Sequence, residues 1–189
     1  MTESKTGEGR TWWFIGLAFV VGWCLILFFA GPRRGLGTPR LANPGDNRMA
    51  PFDWKLSDLK DAPVDFANYK GRTVFLNIWA TWCPPCVAEL PAIATLAANP
   101  RLKDVAFVCV STDESPDVLR RFVRDKTWPM TVLRATDLPD AFLTDGIPAT
   151  FLIAPDGRIA ASEVGAARWD DPSVVEFLER LASPAVVRR

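Results

Sequence analysis

The chain has 189 residues, 22 Lys plus Arg against 22 Asp plus Glu, and no His. A net charge of zero gives no sign of the basic surface a nucleic-acid partner calls for, so none is expected. The missing His excludes Ser-His-Asp and Cys-His catalysis and deprives most zinc and copper sites of their usual ligand.

Residues 1–10 form a polar tail. Residues 11–31 carry no charge and are apolar almost throughout, with Trp12 and Trp13 at one end and Cys24 inside the run. About 20 helical residues cross the roughly 30 Å hydrocarbon core of a bilayer, so a single transmembrane helix is expected there. A cleaved signal peptide is the alternative; it wants a shorter apolar run followed by small residues at the cleavage point. Arg33, Arg34 and Arg40 follow the run, and the positive-inside rule taken literally puts the large domain in the cytoplasm. Long domains translocate largely regardless of flanking charge, and the extracytoplasmic side is expected here. Residues 32–50 are Gly- and Pro-rich without periodicity and read as a flexible linker.

A single domain is expected over 51–185. Residues 52–56 alternate like a strand, and 63–66 supply a short partner, giving an N-terminal β-hairpin extension. Residues 73–79 are nearly all apolar and predict a central strand buried on both faces. Cys83-Pro84-Pro85-Cys86 follows, then a helix from Pro84 to about Ala98 in which Pro91 implies a kink. Residues 105–110 predict a second buried strand, with Cys109 as an inert core thiol. Ser115-Pro116-Asp117 opens a helix running to about Lys126. A short strand over 129–134, a short helix over 138–143, a hairpin formed by 149–153 and 158–164, and a helix capped at Asp171 complete the chain. Strands alternating with helices imply an α/β domain with a central mixed sheet.

Cys83 and Cys86 sit between a strand and a helix start, where the helix dipole favours a thiolate. The pair alone also fits half of a zinc site. The other half is missing, because Cys24 lies in the apolar run and Cys109 stands alone.

Phe75-Leu76-Asn77-Ile78-Trp79-Ala80-Thr81-Trp82-Cys83-Pro84-Pro85-Cys86, then Glu89-Leu90-Pro91, and much later Gly146-Ile147-Pro148-Ala149-Thr150-Phe151 with Asp156-Gly157, resemble the thioredoxin superfamily. Within it they resemble the membrane-anchored TlpA/ResA-like thiol–disulfide oxidoreductases of bacteria. The resemblance covers roughly 51–181 and implies a thioredoxin-like fold. It implies that Cys83 is the nucleophile and Cys86 the resolving thiol, with the Cys83–Cys86 disulfide as the redox group and no external cofactor or metal. It implies that Pro148 is a cis-proline beside the disulfide, with Ile147 bordering the substrate groove. Related thioredoxins carry a buried Asp where this chain has Asn77, which cannot accept a proton; Glu89, one helical turn after Cys86, then becomes the expected acceptor. Glu89 also reads as an ordinary exposed carboxylate near a helix start. Trp82 is expected as exposed cover for the disulfide, and Pro84 and Pro85 as site-supporting residues.

The implied function is reduction of protein disulfides, apocytochrome c among the substrates in cytochrome c maturation, with electrons from a membrane donor of the DsbD/CcdA type. A disulfide oxidant or isomerase for secreted proteins, and a binding module with a fixed structural disulfide, are the alternatives.

Overall fold

The computed structural model describes residues 36–41 and 48–183, together with Gly22. The polar tail, the expected transmembrane run and residues 184–189 therefore lie outside the described residues, Gly22 excepted. Among the described residues no helix is long and apolar enough to cross a membrane.

The strands are β1 (Lys55–Ser57), β2 (Pro63–Asp65), β3 (Val74–Trp79), β4 (Ala106–Ser111), β5 (Thr131–Arg134), β6 (Ala149–Ile153) and β7 (Ile159–Val164). The helices are α1 (Pro84–Ala97), α2 (Pro116–Val123) and α3 (Pro172–Ala182). One seven-stranded sheet has the order β2-β1-β5-β4-β3-β6-β7. β3, β4 and β5 run parallel; β6 is antiparallel to β3, and β7 to β6. The mixed sheet with flanking helices is the one the resemblance implies. The β1–β2 hairpin extends the sheet by pairing Ser57 with Arg134 of β5.

β3 is central because all six of its residues are apolar or find partners, and all six are buried. Its side chains divide by the period of two. Phe75 and Trp79 join an apolar cluster with Leu90 and Ile93 of α1, Leu119 of α2, and Val174 and Leu178 of α3. Val74, Leu76 and Ile78 face the other way and join Trp54, Leu56, Phe66, Phe142 and Phe151. No residue of α1–α3 belongs to that second cluster among the described residues. The hairpin region and two short 3₁₀ turns, Phe66–Tyr69 and Asp140–Phe142, close that face instead.

Some elements are shorter than expected. α2 ends at Val123, where the Lys126 N–H turns back onto the Val123 carbonyl at 3.0 Å. Ser115 occupies the N-cap of α2, but its side chain makes no capping bond. Around Leu138–Leu143 only the single turn Asp140–Phe142 forms, because Pro139 interrupts the segment. α1 runs through Pro91 as one helix.

The largest difference lies at the domain's start. Part of the stretch read as linker is packed on the domain. Gly37 pairs with Ala167 and Met49 with Arg158 in isolated bridges, and the Ala50 N–H donates to the Gly157 carbonyl at 2.8 Å. Gly and Pro content signals loop backbone, but it does not say whether that backbone finds a partner.

Phe66 meets Phe52, Trp54, Tyr69 and Phe142 ring to ring. Truncation of this fully buried ring in Phe66→Ala is expected to lower unfolding free energy by about 3–5 kcal/mol, read from the urea midpoint at constant slope.

Candidate active site

Cys83 is the N-cap of α1 and Pro84 and Pro85 fill its first positions, so the Cys86 N–H is the local donor to the Cys83 sulfur, at 3.3 Å. Cys83 and Cys86 form a disulfide with their Cα atoms 5.3 Å apart. Cys83 lies at the rim with 4% exposure, while Cys86 has none. Trp82, the residue before Cys83, is 67% exposed.

The turn that delivers Cys83 is pinned by a carboxylate the motifs do not contain. Thr81 donates its N–H to Asp113 Oδ2 at 3.0 Å and its hydroxyl to Asp113 Oδ1 at 2.6 Å. Ser111 donates its hydroxyl to the same carboxylate. Asp113 is buried at the end of β4, and parallel pairing of β3 with β4 carries it beneath Thr81. The only sequence signal is a lone Asp just beyond an apolar strand.

The Ile147–Pro148 peptide bond is cis. The loop before β6 places the Ile147 carbonyl oxygen 3.7 Å from the Cys83 sulfur. The distant Ile147-Pro148 pair and the cysteine motif thus meet at one end of the central strands, where β3 finishes and β6 starts.

Glu89 is fully buried, which removes the reading of it as a surface carboxylate. Asn77 Nδ2 donates to Oε1 at 2.9 Å; the Ala167 N–H and the Trp169 indole N–H donate to Oε2 at 3.0 and 2.9 Å. Burial pushes the Glu89 carboxyl above its ordinary range, and the three donors pull it back. Asn77 Nδ2 also donates to Thr150 Oγ1 at 2.9 Å, while Asn77 Oδ1 is buried without a hydrogen-bond partner among the described residues. Cys109 pairs with Asn77 across β3 and β4; burial, reinforced by the nearby Glu89 charge, keeps its thiol protonated. Ala167, Trp169, Thr150 and Asp113 are site residues that sequence reasoning missed.

The Redoxin family model matches residues 44–178, which include every residue of this site. The chain belongs to the Redoxin family. The thiol–disulfide oxidoreductase ResA of Oceanobacillus iheyensis is 33% identical to this chain over 60% of it and 60% of that protein. ResA of Halalkalibacterium halodurans is 28% identical over 77% of this chain and 81% of its own. The chain spans less than two thirds of the first ResA relatives it matches, 65% of one from Bacillus cereus and 60% of that from O. iheyensis. Among solved structures, a secreted Mycobacterium tuberculosis disulfide oxidoreductase superposes with a TM-score of 0.58 at 26% identity, over 69% of this chain and 97% of that one. A disulfide inside this Redoxin domain supports thiol–disulfide oxidoreductase activity. Among the described residues no group of three or more Cys, Asp and Glu is placed to hold a metal ion.

The sign of the Glu89 shift has a measurable consequence. A carboxyl whose folded pKa is raised contributes stability that is fully present below its unfolded value, here 4.5, and is lost as pH rises through the folded value. The stability of the oxidised wild type minus that of Glu89→Gln is therefore expected to fall as pH rises from 4.5, in denaturant titrations run at successive pH values.

Proposed function

We propose that this chain is a membrane-tethered thiol–disulfide oxidoreductase on the extracytoplasmic side, which reduces protein disulfides through Cys83 and Cys86. One observation carries the reading: the first turns of α1 carry a disulfide with one sulfur-bearing residue at the rim and one sealed, and a fully buried carboxylate three residues further on.

In the reduced state the Cys83 thiolate attacks one sulfur of a substrate disulfide. A mixed disulfide forms and the substrate's other sulfur leaves as a thiolate that takes up a proton. Cys86 then gives its proton to Glu89 and attacks the Cys83 sulfur. The substrate's second sulfur leaves as a thiolate that takes up a proton from water, the Cys83–Cys86 disulfide closes and Glu89 returns its proton to solvent, so two electrons have passed from the dithiol to the substrate. The Ile147 carbonyl edge and exposed Trp82 flank Cys83 where the substrate chain would lie. Extracytoplasmic compartments are oxidising. Renewal of the dithiol there calls for a membrane electron donor of the DsbD/CcdA type. The uncharged run at 11–31 would keep the domain near such a donor. Apocytochrome c, the substrate that the sequence resemblance implies, is the one proposed here, its cysteines kept reduced for haem attachment.

The test is a Cys86→Ser trap in the native host, which leaves Cys83 in mixed disulfides. Apocytochrome adducts are the expected result; a broad set of secreted proteins would turn the reading to an oxidant or general reductase, and no adducts would end catalysis as the function. A second prediction concerns acidity. Pro85 has no N–H to offer the Cys83 thiolate, so Pro85→Ala adds a donor. The Cys83 thiolate is expected to form at lower pH in Pro85→Ala, followed by thiolate absorbance; an unchanged titration would refute this.

A further inference from the structure

The turn Gly165–Trp169 is the wall of the site that no motif marks. It follows β7 and carries two of the three donors on Glu89. It is held on one side by the Gly165 N–H, which donates to the Pro148 carbonyl at 2.8 Å, and by the Trp169 ring, which meets Phe75 edge-on at 5.0 Å. Residues 36–41 lie along the other side. Gly37 pairs with Ala167 in a parallel bridge, and the Arg168 N–H donates to the Gly37 carbonyl at 2.8 Å. The Arg40 N–H donates to Glu163 Oε2 at 2.8 Å. Pro39 is buried, and Leu41 packs on the apolar cluster that holds Cys83, Cys86 and Trp169.

We infer that Trp169 is the positioning residue for Glu89, and that residues 36–41 are a strap that holds the turn carrying it. The inference rests on the reading of Glu89 as acceptor of the Cys86 proton. An indole N–H donates and never accepts. With the Ala167 N–H it fills Oε2 with two donors, so an arriving proton is directed to Oε1. There it meets Asn77, whose amide also donates to Oε1. The Asn77 oxygen has no partner to lose, so the amide can turn and accept the new O–H. Trp169 thus decides which oxygen of Glu89 takes the proton.

Among the described residues, the titratable groups that face Glu89 are few. Cys86 stands one turn earlier on the same helix, and Cys109 faces it from β4. Asn77, Thr150 and Trp169 are uncharged. Arg168 and Asp171, on the turn's outer side, pair with each other at 2.6 Å. The strap begins a few residues after the run expected to enter the membrane.

The experiment follows the Glu89 carboxyl by carbon-13 NMR in full-length, oxidised protein, which needs no substrate. Trp169→Phe keeps a ring and removes the N–H. It is expected to raise the proton affinity of Glu89 about tenfold, the loss of one charge-assisted hydrogen bond. Trp169 replaced by 3-benzothienylalanine keeps the bicyclic shape and is expected to do the same if Trp169→Phe folds poorly. Pro39→Asp, which expels the strap, is expected to shift Glu89 in the same direction by less. A Glu89 titration in the 3-benzothienylalanine protein that coincides with wild type overturns the positioning role. A coincident titration in Pro39→Asp overturns the strap. The acceptor reading has its own readout: a pH profile of disulfide reduction left unchanged by Glu89→Gln would sink it while leaving the titrations to stand.

Discussion

A carboxylate with no exposed surface is the constraint around which this domain is arranged. An ionised group taken out of water is tolerated only when hydrogen bonds replace its hydration. Glu89 receives one from the central strand, one from a backbone amide after β7, and one from an indole. The donors come from two parts of the chain far apart in sequence, β3 and the turn after β7. They meet only if β3 is central, if β6 and β7 fold back antiparallel beside it, and if α1 lies on the face that Asn77 points to. The same sheet order brings the Ile147 carbonyl to the Cys83 sulfur and Asp113 under Thr81.

The two faces of the sheet have different work. The face carrying Phe75, Asn77 and Trp79 meets the helices and holds the polar cluster beneath the disulfide. The opposite face is filled by aromatic rings from the hairpin region and from Phe142 and Phe151. Polar atoms of the site are thus kept on one side of a dry layer, where hydrogen bonds are strong and unpaired groups costly.

Chemistry that must occur locally leaves local marks. A dithiol at a helix start needs two cysteines three positions apart, and so Cys83 and Cys86 were legible, whereas Glu89 and the Ile147-Pro148 pair stood out only through the family resemblance. Strands buried on both faces were legible as apolar runs, and β3, β4 and β6 stand within a residue of where their runs place them. Trp169 and Ala167 were not legible, because they act across 80 and 78 positions and one of them through its backbone. Asp113 gave only the faint signal of an acidic residue beyond a strand. Residues 36–41 were read as linker because Gly and Pro describe conformational freedom, whereas their docking depends on main-chain groups that composition does not reveal.

Complete burial of Cys86 has a consequence for how long partners stay attached. A small thiol from the surroundings can approach the rim sulfur, but not the sealed one. If the proposed function holds, discharge of a partner through Cys86 is an internal event timed by the geometry of this chain, whereas discharge at Cys83 stays open to outside thiols. In the proposed cycle the domain is a latch with two keys: one is the sealed Cys86, set by the geometry of this chain, and the other is any outside thiol that reaches the narrow rim at Cys83.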